Sequence, residues 1–281
     1  MKLRYILLLA CLLPAICNAQ DAAELRPVLS AYSIKAGSAH IADTYLSPLK
    51  YSGEHFSLDY ERMQAMKFSP RKWIMQLHGN LDVNHTKNPA RNATMWDFNL
   101  SLGWGMARKW NTSASWSFYI GCRTDLGAGA FYSSRNSNNP VAAKASWTVG
   151  AWGGAVWNGR IGSLPLCARY QTELPLVGAF FAPQYGELYY EIYLGNHSNL
   201  ARCAWPGNFV RWRNSLTADL RLGSASLSVG YGFDLESTKA SHIVTRRITH
   251  SAIIGVTSEW ISLSPKRSNT ADAAVIQALY R

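Results

Sequence analysis

The residues with the most evident chemical potential stand together at His197-Ser198-Asn199. A histidine that takes the proton of a nearby serine hydroxyl makes that oxygen a nucleophile, provided both side chains reach one place. Here the two are adjacent, and neighbours in a strand point to opposite faces. Gly195, Asn196, Pro206 and Gly207 around them favour a polar loop. A bulge at the strand end would be needed to turn both side chains to one side. Glu187 and Glu191 could act as an acid–base couple. The histidines His40, His55, His78, His85, His197, His242 and His250 show no metal-ligand spacing, so no metal is expected. Cys122, Cys167 and Cys203 are odd in number and irregular in spacing, which is neither a disulfide framework nor a metal site. Gly127 and Gly129 have no helical pattern after them, which excludes a dinucleotide fingerprint, and no cofactor is expected.

The larger set of titratable groups is spread along the chain. It comprises Asp59, Glu61, Asp82, Asp97, Arg123, Asp125, Arg169, Glu173, Arg211, Arg213, Asp219 and Arg221, with His55, Glu187 and Glu191 beside them. Most of them recur at every second position, opposite an apolar partner set. From Trp73 the apolar set is Trp73, Met75, Leu77, Leu81 and Val83, interleaved with Gln76, His78, Asn80, Asp82 and Asn84. Trp96 to Met106 alternates with Asp97, Asn99, Ser101, Gly103 and Gly105. Trp116, Phe118, Ile120 and Cys122 oppose Ser117, Tyr119, Arg123 and Asp125, and the runs from Arg211 and Ser226 repeat the pattern. Period-two alternation of this kind is the signature of a strand with one apolar and one polar face.

The runs are about 12 to 16 residues long, whereas strands of soluble proteins usually have about 5 to 6. A tilted strand crossing a membrane needs roughly 9 to 11 residues plus extensions. Trp73, Trp96, Trp104, Trp116, Trp147, Trp157, Trp212 and Trp260 lie towards the ends of runs, where an aromatic girdle belongs. Eleven Trp and fourteen Tyr beside only 16% charged residues suit a membrane–water interface. The expected fold is therefore an all-β, antiparallel transmembrane β-barrel. Its polar face lines the lumen, and charges there must neutralise one another.

The first residues set the compartment. Lys2 and Arg4 precede an uncharged apolar run from Tyr5 to Ile16, and Cys17-Asn18-Ala19 offers small residues for a signal peptidase. Residues 1–19 are expected to be a cleaved signal peptide. The lipobox-like Leu8-Leu9-Ala10-Cys11 would leave too short an apolar region. No later stretch is apolar enough for a membrane-spanning helix. The net charge of +11 counts two positive charges, Lys2 and Arg4, that leave with the signal. An exported protein rarely meets nucleic acid, so no nucleic-acid partner is expected and lipopolysaccharide phosphate is the more plausible anion.

Connector lengths give the strand count. Short links fall at 67–71 and 109–113, at an Asn158-Gly159 turn and at Gly223-Ser224. Longer polar links fall at 84–93, 132–143, 196–208 and 237–246. Long extracellular loops and short periplasmic turns then alternate if strands cover 27–38 and 176–183. The result is about twelve strands within residues 20–264, with ten as the alternative, and a periplasmic tail over 265–281.

Two segments resemble a known family. Asp43-Thr44-Tyr45-Leu46-Ser47-Pro48-Leu49-Lys50-Tyr51-Ser52-Gly53 and Phe181-Ala182-Pro183-Gln184-Tyr185-Gly186-Glu187-Leu188-Tyr189-Tyr190-Glu191 look like signatures of a domain-of-unknown-function family of Bacteroidetes outer-membrane proteins. The resemblance implies an outer-membrane barrel and no activity. The expected function is a non-enzymatic narrow pore or lumen-filled anchor whose outer face binds a ligand or lipopolysaccharide. Arg135, Lys144, Arg246 and Arg247, in or beside links assigned to the outside, are the expected lipopolysaccharide contacts. The alternative is an outer-leaflet lipid hydrolase of the phospholipase A or lipid A deacylase type, using His197 and Ser198.

Overall fold

Alternating sequence becomes paired strand along almost all of the chain. The structure, a computed structural model, describes residues 24–136, 139–183, 189–195, 200–223, 225–261 and 274–279. The expected signal peptide and the triplet His197-Ser198-Asn199 lie outside these residues. The strands are β1 (Glu24–Leu25), β2 (Val28–Asp43), β3 (Lys50–Ala65), β4 (Trp73–Lys87), β5 (Thr94–Asn111), β6 (Trp116–Ser133) and β7 (Val141–Ile161). They continue with β8 (Leu164–Phe181), a short helix α1 (Tyr189–Tyr193), β9 (Ala201–Ala204), β10 (Phe209–Leu222), β11 (Ala225–Ala240), β12 (Ile243–Trp260) and β13 (Ala274–Val275).

Among the described residues, ten strands close an antiparallel barrel in the order β2 to β8, β10, β11, β12, with β12 returning to β2. Closure pairs each of the ten strands on both sides over most of its length; β9 and Phe209–Trp212 of β10 are paired on one side only. Across the ladders, Ala168 aligns in turn with Ala218, Val229, Ile254, Ile34, Leu58, Leu81, Leu100, Ala128 and Ala145. That path returns to β8 beside Phe180 rather than at Ala168. The offset is the stagger that tilts barrel strands. Every residue on the path is apolar and faces outward, so the barrel wears an uninterrupted hydrocarbon-compatible band. Ile120 at 64%, Leu102 at 54% and Ile254 at 63% exposure stand more than half open on it. The eight tryptophans expected in a girdle all occupy outward positions, whereas Trp152 points inward and is 1% exposed.

Ten strands replace the twelve expected. Residues 176–181 are the upper part of β8, continuous with 164–175 across a register shift opposite Val149 and Gly150. Pro175 has no N–H for the ladder, and the extra residue at Leu176 absorbs the discontinuity. Below this point β8 pairs with β10 over Leu166–Glu173; above it Gly178–Phe181 pairs with β9, which stands outside the ten. The tight turn expected at Asn158-Gly159 sits at Gly162-Ser163, with Gly162 at φ 61° and Asn158 still in β7. The link expected over 237–246 is the end of β11, the start of β12 and a two-residue turn. Ser241 and His242 both have positive φ, at 49° and 64°, as a hairpin of that length requires. Both barrel termini lie at one end, with the links 66–72, 112–115, 162–163 and the one between Leu222 and Ala225; the other end carries the 27-residue link 182–208.

Candidate functional site

The inward positions of the ten strands meet in a lumen with three layers. The middle layer is a belt of charge. Arg123, 2% exposed at its side chain, is its hub. Its Nη2 donates to Asp125 Oδ1 at 2.7 Å and lies 2.9 Å from His78 Nδ1. Its Nη1 meets Glu173 Oε2 at 3.0 Å and Gln76 Oε1 at 3.2 Å. Gly103 of β5 gives the guanidinium room, and Gly105 does the same for the base of the side chain. A Cβ at Gly103 would come within 2.4 Å of Asp125 Oδ1 and 2.6 Å of Arg123 Nε.

Around this hub the belt continues in two groups of paired charges. Gln76 donates to Glu61, whose other partner is Arg169 at 2.6 Å. His78 Nε2 faces Asp59 Oδ1 at 3.2 Å, and Lys35 Nζ reaches the same oxygen at 3.0 Å. Arg213 lies 3.5 Å from Asp125 and 3.6 Å from Glu173. Arg247 links Asp97 at 3.2 Å, Glu236 at 3.2 Å and Asp82 at 3.9 Å, while Arg211 closes on Glu236 at 2.7 Å. Asp219 faces inward opposite Cys167 and Ser228 in the ladders, and Arg221 lies 3.9 Å from Glu259 near the terminal end. Two cavities within the belt hold about 50 and about 80 Å3, and one of about 340 Å3 lies at the terminal end against Arg221, Thr257, Glu259 and Gln277.

Below the belt lies an apolar floor of Leu29, Met63, Ile74, Ala107, Tyr119, Trp152, Val156 and Cys167. The tail adds Ala278 and Leu279 to the same cluster, each 1% exposed. Above the belt, Ile41, Leu46, Tyr51, Ala93, Met95, Phe131 and Ala142 form one part of a ceiling, and Phe180, Ala182, Ala204 and Phe209 the other. Tyr189 of α1 stands over Tyr45 edge-on and accepts a hydrogen bond from the Ala143 amide at 2.6 Å. Burial pushes its phenol up to about 12, so it stays neutral in that contact.

Each of the twelve residues expected in the lumen faces inward. Two of the four expected lipopolysaccharide contacts do not reach the outside. Lys144 lies on the inner face of β7 and bridges Asp43 at 2.7 Å and Thr245 at 2.9 Å. Arg247 lies on the inner face of β12, 9% exposed, between Thr245 and Thr249 of the same polar set. Both stand just beside the expected links 132–143 and 237–246, at positions where β7 and β12 are already laddered. Arg135 and Arg246 are exposed, Arg135 donating to Asn92 Oδ1 at 3.2 Å. Glu191 stands on α1, exposed and outside the lumen, and Glu187 lies outside the described residues. Lys35 and Glu236 join the belt without having been singled out. Their signal was available, since Ser33 and Lys35 alternate with Tyr32 and Ile34, and Glu236 with Leu235.

The chain is similar in shape to several solved outer-membrane proteins. They include the translocator domain of the autotransporter NalP from Neisseria meningitidis, at 9% identity and TM-score 0.35, covering 92% of this chain and 95% of that one. The transport unit of the autotransporter AIDA-I from Escherichia coli matches at 9% identity and TM-score 0.38, covering 92% and 97%. The attachment invasion locus protein Ail of Yersinia pestis matches at 10% identity and TM-score 0.30, covering 81% and 98%. At these values they bear on no activity. No curated protein matches in sequence. The match that assigns the chain covers residues 5–267: it belongs to the family described as Protein of unknown function (DUF3316).

Proposed function

We propose that this protein is an outer-membrane β-barrel that closes its own lumen and acts as a surface anchor rather than as an open pore. The observation that carries this reading is the three-layered interior. An apolar floor, a belt of paired charges and an apolar ceiling follow one another along it, and the cavities within the belt are of about 50 and about 80 Å3. The continuous apolar band outside supports residence in a bilayer, because polar backbone in a closed barrel is satisfied strand to strand and only side chains meet lipid. With the expected signal peptide, that band points to the outer membrane.

The loop end then becomes the working face. It carries exposed Tyr190, Tyr193 and Leu194 on and just after α1, with Arg135 and Arg246 at the rims of the barrel. Exposed arginines there suit the phosphates of lipopolysaccharide, which accept two hydrogen bonds from one guanidinium. Single-channel recording in a planar bilayer tests the anchor. Insertion without steady current is the expected result; an ohmic conductance from the wild-type protein would overturn the reading.

A further inference from the structure

We infer that residues 274–279 are a displaceable stopper that seals the periplasmic mouth of the lumen in cis. The segment returns to the barrel after its last strand and places Ala278 and Leu279 in the floor cluster. Among the described residues, few contacts hold it there. β13 makes a two-residue parallel bridge with β1, and the Ile276 amide donates to the Leu25 carbonyl at 2.8 Å. Lys109 Nζ donates to the Ala278 carbonyl at 2.7 Å, and Gln277 Nε2 to Glu259 Oε2 at 2.8 Å. Ala274 and Val275 are themselves exposed.

The balance of these contacts makes the stopper removable. One leucine, one alanine and a handful of hydrogen bonds favour docking. Ordering six backbone residues and their side chains opposes it by a comparable amount. Segments with so few buried contacts open locally, well below the free energy of global unfolding. The barrel wall has no such freedom, because each of its strands is laddered on both sides. Release would expose Met63, Ile74 and Trp152 to the periplasm and admit water towards the Glu61–Arg169 pair above them. The stopper would operate in a conducting barrel as in a silent one.

Cys167 provides a native reporter, since its thiol is 1% exposed and belongs to the same floor cluster. Cys122 and Cys203 are exposed and are replaced by alanine to leave Cys167 alone. The rate of Cys167 modification by a membrane-impermeant maleimide is then followed in the detergent-solubilised mature protein, from which Cys11 and Cys17 have left with the expected signal peptide. Leu279→Asp, which places a charge in the floor, is the first variant, and deletion of 274–281 the second. Heat-modifiable gel migration confirms that each barrel remains folded. Labelling should be slow in the parent and faster by at least about tenfold in both variants, as expected when roughly one apolar side chain's burial is lost. Slow labelling that Leu279→Asp leaves unchanged in a folded barrel would overturn the stopper. So would a parent whose Cys167 reacts as fast as an exposed thiol.

Discussion

Replacing Arg123 by glutamine removes the hub of the charge belt while keeping much of its volume and some hydrogen bonding. Arg123, Asp125 and Glu173 are 2%, 3% and 5% exposed at their side chains, so none can turn to bulk water. Removing one member of a buried pair costs about 3–5 kcal/mol, because the partner is left as an uncompensated charge. Arg213 moderates the loss, standing 3.5 Å from Asp125 and 3.6 Å from Glu173. The expected destabilisation is therefore about 3 kcal/mol, at the lower end of that range. Urea unfolding from detergent micelles, followed by the fluorescence of the eleven tryptophans, measures it. The double variant Arg123→Gln with Glu173→Gln should recover part of the loss, since one of the stranded carboxylates is then neutral. A loss under about 1 kcal/mol for Arg123→Gln would refute the reasoning, because such a value belongs to solvent-exposed pairs.

Gly103→Val should destabilise the barrel by at least about 2 kcal/mol, since its Cβ would collide with Arg123 and Asp125, and the same unfolding series checks it. Leu102→Arg places a cation on the outward band; a loss of about 2–4 kcal/mol in lipid vesicles marks a membrane position, whereas a neutral effect would mean that water covers this face. Lipid A binding to the solubilised protein should weaken with rising salt and weaken further in Arg135→Ala with Arg246→Ala; unchanged affinity in that double variant would remove these residues from the contact. Lys144→Ala should leave lipid A affinity unchanged while lowering stability, because the ammonium holds the fully buried Asp43 inside the barrel.

The alternation legible in the sequence carried the inward and outward assignment of most strands. At Trp96–Met106 side-chain type and face coincide residue by residue, whereas within Trp116–Asp125 they part at Tyr119, which joins the apolar floor, and at Thr124, which is polar on the outer face. Strand ends were less legible. Near the loop end the outward face also turns polar, at Ser237 and Lys239 and again at Arg246, so the end of β11 and the start of β12 read as one polar link. The turn between them uses Ser241 and His242 at positive φ instead of the Asn-Gly pair that would have marked it. The alternation of short and long links called for a separate strand over 176–183, between Pro175 and Pro183, where the ladder instead carries Pro175 at a bulge within β8.

Partners across the lumen were beyond sequence reasoning, because they depend on the circumference. Arg169 and Glu61 are 108 residues apart, on β8 and β3, which stand five strands apart in either direction around the wall. Lys144 on β7 and Asp43 on β2 are 101 residues apart and likewise opposite. Both pairs close at 2.6–2.7 Å. Barrel diameter grows roughly linearly with strand number, and about eight strands already leave an interior just wide enough for side chains to fill. At ten strands, a long cation and a carboxylate on opposite walls can still meet when they share a level. Two further strands would widen the lumen and pull these two pairs apart, leaving Glu61 and Asp43 without their opposite-wall cations. Strand number and charge neutralisation are thus one constraint. The ten-strand count and the closed belt stand together, and a conducting barrel would have to give up both the diametric pairs and the floor beneath them.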